Sequence, residues 1–558
     1  MSSGLPPEAR RVDLYDTTLR DGTQRAGIAL SVDDKIRVFE RLGRAGLPYV
    51  EGGWPGSNPK DAEFFSRARA GAAARHKHHP GAVLTCFGMT RRPRISCADD
   101  PQLAALVETG CEVACIVGKS WTLHVREALR VSLDENIAMV AESVRWLRDQ
   151  GMRVFFDAEH FFQGYAEDPG YALSVVETAA VTGAEVVVLC DTNGGTLPHD
   201  VEEIVGKAVE RVQVAVGGHF HDDSGCGVAN SLAAVRAGAS QIQGCVNGYG
   251  ERCGNADLLA VAANLQLKMG IQVLDGERMA ELTDVSRYVS EVANQPPEGH
   301  RAFVGTFAFA HKGGLHVSAV MRTARAYEHI DPATVGNDRR LLTSDLSGAA
   351  TLRAAAANLQ LEMGNETIGT ALERLKQLEF EGYSFEAADG SLELLLREAQ
   401  GWRQQFFQPL SFRAIVEDSA TSAASGPVAE ATVRLEIAGE RSVSAAEGHG
   451  PVDALYRALR VALRPTYPEI GSFHLTDYKV HILDPASATA ATVRVLIETT
   501  DASGSWMTVG VSTDIIEASW KALIEAVVVG LVHRGVTPAG SIAASAPHEV
   551  WPQRAGAE

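Results

Sequence analysis

Two histidines separated by one residue, His219 and His221, are the side chains of this sequence best suited to bind a metal ion. They close a short apolar segment typical of a β-strand, and residues i and i+2 of a strand project to the same side. With a carboxylate such as Asp21, they would offer a divalent ion two nitrogens and one oxygen and leave positions open for substrate. The alternative interpretation is structural, with two histidines that hydrogen-bond at the end of a sheet.

Ionisable or amide side chains also follow other short apolar segments, where a buried strand should end in apolar residues unless charge is needed. The carboxyl ends of parallel strands meet on one side of an α/β fold, so these side chains predict one shared site. The residues concerned are Arg20, Asp21, Gln24, Glu51, Asp157, Glu159, Asp191, Thr192, His219, His221, Asn247, Glu251 and Asn255.

Eight segments rich in Val, Ile, Leu and Phe must position these side chains. Amphipathic segments with helical spacing separate them, and several of these end at a glycine, as a helix C-cap would. Eight strand–helix repeats in about 260 residues favour a (β/α)8 TIM barrel. The alternative is a doubly wound open sheet, but no G-x-G-x-x-G follows the first strand. The predicted strands are residues 12–16, 47–52, 82–88, 112–118, 152–159, 185–191, 214–221 and 241–248.

The rest of the 558-residue chain has a different pattern. Residues 276–405 are largely helical in spacing and predict a connecting region after a barrel of residues 1–275. Residues 406–540 contain two successive strand–strand–helix patterns, which indicate a duplicated α/β accessory domain with separate cores. Residues 541–558 form a tail.

Composition restricts the binding partners. The chain has 51 Lys and Arg against 70 Asp and Glu, a net charge of −19, and lacks the basic stripe that nucleic acids or anionic membranes require. It has no run of about 18 apolar residues and no apolar signal segment near its start, so we expect a cytoplasmic protein. The histidine-rich segment 75–80 is basic and is interpreted as a solvated loop.

Three motifs carry a resemblance to a known family. They are DTTLRDGTQ at 16–24, HFHDDSGCGVANSLAAVRAGA at 219–239 and NGYGERCGN at 247–255. In this order they resemble the 2-isopropylmalate, homocitrate and citramalate synthases, which are metal-dependent Claisen-condensing barrels. GPVDAL at 450–455 and the duplicated units resemble that family's allosteric domain. The likeness spans nearly the whole chain.

The resemblance implies a role for each matching residue. Arg20 would face the reacting ketone oxygen, and Glu159 would belong to the acid–base machinery. His316 would match the family's acid–base histidine, with Tyr327 as its partner. The family often has Gln-Asp or Ala-Asp after this histidine, whereas Val317 and Ser318 follow it here. The implied substrate contacts are Arg20, Gln24, Asp157 and Thr192, and the implied metal ligands are Asp21, His219, His221 and Asn255.

Segments 51–65, 118–125 and 156–165 most resemble the citramalate-forming bacterial members. The implied reaction condenses acetyl-CoA with pyruvate and water to give (R)-citramalate and CoA, an acyl transfer in isoleucine biosynthesis. A divalent ion, zinc, manganese or magnesium, would polarise the keto acid. The resemblance further implies a homodimer whose C-terminal domain binds isoleucine as an allosteric effector.

Three alternatives remain at this point. A 2-isopropylmalate synthase would differ in the side chain of its keto acid, and hence in the volume of its pocket. A metal-dependent retro-Claisen lyase would not need the duplicated domain. A catalytically inactive amino-acid sensor would not need the intact set of Arg20, Asp21, Glu159 and the two histidines.

Overall fold

A computed structural model describes residues 10–74, 81–344, 346–403, 405–417 and 428–540. The chain forms two compact units, Met1–Phe309 with His329–Arg339, and Ala310–Glu328 with Arg340–Glu558. The predicted domain limits at residues 275, 405 and 540 stay predictions. The predicted tail and the histidine-rich segment 75–80 lie outside the described residues.

The first unit contains a closed barrel of eight parallel strands, in which the last strand pairs with the first. This confirms the predicted (β/α)8 barrel. Each strand lies in its predicted segment or passes its end by one residue, and the last strand ends at Gly244, before the predicted end at residue 248. The strands are β1 Asp13–Asp16, β2 Tyr49–Glu51, β3 Val83–Met89, β4 Val113–Lys119, β5 Arg153–Glu159, β6 Val186–Asp191, β7 Ala215–Phe220 and β8 Gln241–Gly244.

Ten α-helices accompany these strands in the described part of the unit. Side chains that accept hydrogen bonds from the first turn fix several helix starts, among them Ser31, Ser132 and Asp168. The helices are α1 Val32–Arg44, α2 Pro59–Ala74, α3 Pro101–Glu108, α4 Leu133–Asp149, α5 Phe161–Glu167, α6 Pro169–Thr182, α7 Pro198–Arg211, α8 Gly227–Arg236, α9 Leu258–Leu267 and α10 Leu282–Val292.

Two buried layers hold the barrel together. The larger lies between strands and helices and includes Val154, Val187 and Val205. A separate buried cluster consists of strand residues, such as Tyr15, Phe155 and Val188, and therefore fills the barrel interior. A filled interior is a rigid base, so polar side chains at the strand ends are held in place.

The second unit begins with short strands and helices. Strand β9 Ala310–His311 pairs in parallel with β10 Arg340–Leu341, and α11 Gly314–Arg322 lies between them in sequence. Helices α12 Ala349–Asn358, α13 Asn365–Phe380 and α14 Asp389–Ala399 follow and share a buried apolar cluster. The helical content predicted for this region is present.

The C-terminal part consists of two similar repeats, each with one three-stranded antiparallel sheet followed by a helix. The predicted strand–strand–helix pattern missed the third strand of each repeat, and the predicted separate cores were wrong, because both helices contribute to one buried cluster. The elements are β11 Gln408–Glu417, β12 Val428–Ile437, β13 Glu440–Gly448, α15 Pro451–Leu463, β14 His474–Ile482, β15 Val493–Asp501, β16 Gly504–Ser512 and α16 Ile515–His533.

Helix α14 packs onto this C-terminal part. The backbone N–H of Val509 donates to Oγ of Ser391 at 2.9 Å, and Nε2 of His533 lies 2.8 Å from Oε2 of Glu393. Leu394 belongs to the same buried cluster as the two sheets. Helix α14 therefore packs against the C-terminal repeats as well as against α12 and α13. None of the helices in the described ranges is long and apolar enough to cross a membrane.

Candidate active site

The carboxyl ends of β1 and β7 bring one carboxylate and two imidazoles together. Oδ2 of Asp21 lies 3.3 Å from Nε2 of His219 and 3.8 Å from Nε2 of His221. One ligand atom from each residue lies within 4.8 Å of the others, and all three side chains are buried. The predicted cluster is present, and its spacing suits one cation.

Asn255, predicted as the outermost ligand, also contacts this cluster. Its Nδ2 donates to Oδ2 of Asp21 and to the backbone oxygen of Tyr249, both at 3.2 Å. Its Oδ1 is buried and has no hydrogen-bond partner, and the same holds for Nδ1 of His221. Buried polar atoms are normally paired. The orphaned oxygen, the carboxylate and the imidazoles together fit the donor preferences of a divalent cation.

The electrostatics of the cluster favour the metal-binding forms of Asp21 and His221. Burial raises the pKa of Asp21, but Arg20 and the hydrogen bond with His219 outweigh it, so the net pKa lies well below the usual range. Burial, together with the nearby His219, lowers the pKa of His221 to about 4. An ionised carboxylate and a neutral imidazole are the states that coordinate a metal.

Arg20 lies beside the cluster and is held on two sides. Its Nε donates to Oε1 of Glu51 at 2.6 Å, and its guanidinium carbon lies 3.8 Å from the ring centre of Phe87. Its Nη1 lies 3.7 Å from Oδ1 of Asp21. Glu51 is fully buried, so the ion pair fixes the arginine at the rim of the barrel.

A cavity of about 300 Å³ opens over this cluster. Its wall combines the polar residues with apolar side chains such as Trp54, Phe87 and Leu129. Asn255 is not among the lining residues. Eight of the residues predicted as ligands, substrate contacts or acid–base groups line the cavity, namely Arg20, Asp21, Gln24, Asp157, Glu159, Thr192, His219 and His221.

Two of these residues have partners that the sequence did not predict. Glu159 forms an ion pair with Lys119, and both residues line the cavity. Oγ1 of Thr192 accepts a hydrogen bond of 3.0 Å from the backbone N–H of His160. His160 adopts a left-handed conformation with φ of 56°, which turns the chain sharply after Glu159.

Gln243 is a further residue that sequence reasoning missed. It is fully buried on β8, and its Oε1 lies 3.0 Å from Nδ1 of His219. The signal was present in the sequence, because Gln241 and Gln243 flank an apolar residue in a strand and must point to the same side. Two polar side chains on that side indicate a polar layer in the barrel.

The predicted pair His316 and Tyr327 belongs to the second unit. The two rings stack with centres 4.2 Å apart and planes at 27°, and both side chains are exposed. Val317, which follows the histidine, is buried and does not support the ring as an acidic residue would. Tyr327 is therefore the ring partner of His316.

Comparison with known proteins adds independent findings. The HMGL-like family model matches residues 11–289, the homocitrate synthase post-HMGL domain-like model residues 303–382, and the LeuA allosteric (dimerisation) domain model residues 386–531. The third model begins before α14, in agreement with the packing of that helix.

Full-length relatives are also similar. A relative from Streptomyces coelicolor named (R)-citramalate synthase is 49% identical over 94% of this chain and 98% of its own length. A relative of the same name from Synechocystis sp. is 47% identical over 93% of this chain and 96% of its own length. A 2-isopropylmalate synthase from Shouchella clausii is 30% identical over 93% of this chain and 96% of its own length. The chain therefore belongs to the HMGL-like family, in its 2-isopropylmalate and homocitrate synthase group.

Proposed function

We propose that this protein condenses acetyl-CoA with pyruvate and water to give (R)-citramalate and CoA. The observation that carries the proposal is the similarity to relatives named (R)-citramalate synthase, 42–49% identical over at least 92% of the chain. A 2-isopropylmalate synthase relative is 30% identical. The reaction makes the enzyme an acyltransferase, and we place it in isoleucine biosynthesis in the cytoplasm.

Asp21, His219, His221 and the unpaired oxygen of Asn255 would hold the divalent ion. When bound, such an ion supplies a Lewis acid that polarises the ketone of the keto acid. Zinc, manganese and magnesium are the proposed identities, because a mixed nitrogen and oxygen donor set accepts each of them.

Arg20 would stabilise the charge that develops in the reaction. A bond forms between the methyl carbon of the acetyl group and the ketone carbon of pyruvate, and the ketone oxygen takes up the electron pair. The guanidinium is fixed by Glu51 and Phe87, so it needs little rearrangement as this charge appears. Water then cleaves the thioester, which releases CoA with its thiol proton.

Other residues would bind the keto acid and move protons. Thr192 and Gln24 offer polar groups to the carboxylate of pyruvate, and both line the cavity with Asp157. The acetyl methyl group is a very weak acid, so a positioned base is required. We assign Glu159, paired with Lys119, to the acid–base machinery, together with the stacked pair of His316 and Tyr327.

The C-terminal repeats would regulate the enzyme and join two copies. The match to a LeuA allosteric (dimerisation) domain over residues 386–531 supports a homodimer with an effector site there. We propose isoleucine, the end product of the pathway, as the effector. Allosteric coupling of this kind is commonly about 1–3 kcal/mol. Added isoleucine should therefore inhibit the enzyme, whereas leucine at the same concentration should inhibit it less.

The decisive experiment measures CoA release from acetyl-CoA with pyruvate, 2-oxoisovalerate or 2-oxoglutarate supplied separately. Release with pyruvate, and chromatographic identification of (R)-citramalate, are the expected results. Preferential release with 2-oxoisovalerate would replace the proposal with a 2-isopropylmalate synthase. No release with any keto acid, from protein supplied with each of the three metals, would favour a sensor.

A further inference from the structure

Gln243 connects a proposed metal ligand to an acidic residue across the barrel interior. In the parallel pairing of β7 with β8, His219 lies directly opposite Gln243. Oε1 of the glutamine is 3.0 Å from Nδ1 of His219, and its Nε2 is 3.0 Å from Oδ1 of Asp157 on β5. All three residues are at most 5% exposed and Gln243 is fully buried, so water has little access to these contacts.

The direction of each hydrogen bond follows from its chemistry. Oδ1 of Asp157 also receives a hydrogen bond of 3.2 Å from Sγ of Cys115, so this oxygen is an acceptor. The glutamine must therefore present its NH₂ group to Asp157 and its carbonyl oxygen to His219. A carbonyl oxygen only accepts, so Nδ1 of His219 carries the proton. Nε2 is the ring nitrogen that remains for a metal ion, and it faces Oδ2 of Asp21 at 3.3 Å.

We propose that Gln243 and Asp157 are positioning residues that fix the tautomer and ring orientation of His219 and thereby set the affinity of the metal site. His221 has no equivalent support, because its Nδ1 is buried without a partner. We call the hydrogen-bonded chain Asp157–Gln243–His219 the relay. It acts on one of the two histidines. The inference rests on the metal centre of the proposed function, and it reassigns Asp157 from substrate contact to support of a ligand.

Gln243→Met tests the relay because it keeps the length of the side chain but removes both polar groups. Loss of a group that orients a metal-binding histidine typically weakens metal affinity about 10- to 100-fold. The measurement is the dissociation constant of Zn²⁺ or Mn²⁺ for the full chain stripped with chelator, determined by competition with an indicator of known affinity. Gln241→Met is the matched control, because Gln241 is also buried on β8 and has no contact with His219 among those described. Its dissociation constant should equal that of the unchanged chain.

A double variant, Asp157→Asn with Gln243→Glu, makes the test independent of folding losses. The new glutamate accepts from Nδ1 of His219 and from the new asparagine amide, so the relay is restored with the same net charge. Metal affinity should recover to within about threefold of the unchanged chain. Unchanged affinity in Gln243→Met, or weak binding in a folded double variant, would overturn the relay. Metal binding without CoA release would contradict the proposed function and leave the relay intact.

Discussion

Arg20 gives one edge of its guanidinium to Glu51, with Nε and Oε1 2.6 Å apart, and turns another edge toward Asp21, with Nη1 and Oδ1 3.7 Å apart. A salt bridge with Glu51 and a role toward the substrate are two possible functions of this arginine. The geometry makes them compatible, because the ion pair on one edge orients the other edge toward the proposed metal site.

Replacement of Arg20 with alanine should abolish most turnover. Loss of one donor to a developing oxyanion costs about 3–4 kcal/mol of activation free energy, or a 100- to 1000-fold drop in kcat. CoA release measures the rate, and elemental analysis should show the metal content of the unchanged protein. Arg25→Ala is the matched control, because Arg25 does not line the cavity and packs over Tyr249. Turnover of Arg20→Ala close to that of this control would remove the arginine from the mechanism.

The ion pair should also contribute to stability in a way that can be separated from catalysis. Glu51→Ala leaves a largely buried arginine without its hydrogen-bonded carboxylate and should destabilise the protein by about 3–5 kcal/mol. The double variant Arg20→Met with Glu51→Leu should regain most of that stability, because both charges of this ion pair are removed together, yet stay inactive. The thermal unfolding midpoint measures the recovered stability, and CoA release measures the activity. Activity in the double variant would contradict the role of Arg20.

His219→Ala should lower the amount of metal that copurifies with the protein. The substitution removes one of the three clustered ligand atoms, so fewer ions per chain are expected in elemental analysis. His199→Ala provides the control, because that imidazole is 75% exposed, lies beside Asp200 and does not line the cavity. Equal metal content in both variants would exclude His219 as a ligand.

Stability should depend on pH through His533 and Glu393. The hydrogen bond with Glu393 raises the pKa of His533 above its ordinary value of 6.5. The folded state therefore holds this proton more tightly than the unfolded state. The stabilising contribution of protonated His533 is complete below about pH 6.5. It is lost as the pH rises through the higher pKa of the folded state. The unfolding midpoint should fall over that range.

His533→Gln should remove this part of the pH dependence, and thermal unfolding across the same range checks it. His474→Gln is the control, because His474 is exposed on β14. If the unfolding midpoint of His533→Gln changes with pH as steeply as that of the control, the ion pair does not govern the pH response.

Much of the fold was predictable because buried parallel strands are short, nearly continuous apolar segments. EVVVLCD at 185–191 and MRVFFDAE at 152–159 are examples, and both contain the observed strands. Strands β13 and β16 were missed for the opposite reason. ERSVSAAEG has Val443 as its one large apolar residue, and in GSWMTVGVS glycine, serine and threonine interrupt the apolar residues, so neither is a nearly continuous apolar segment.

The candidate site was predictable to the extent that its residues end strands. Asp21 and the histidine pair could be grouped because a parallel barrel places the carboxyl ends of all its strands on one side. The contacts of Gln243 and Lys119 could not be derived in this way. They depend on the register between neighbouring strands, which pairs Gln243 with His219 and Lys119 with Glu159. Sequence patterns specify which side a residue faces but not its partner across the sheet.

The pairing of β1 with β8 has a consequence for assembly of the site. Asp21 and Asn255 are separated by 234 positions along the chain, yet they touch because the first and last strands are neighbours. No shorter stretch of the barrel contains all four proposed ligands. Capture of the proposed ion would thus be coupled to completion of the ring, and a chain interrupted during synthesis before its eighth strand would lack Asn255 and the strand pairing that brings it to Asp21.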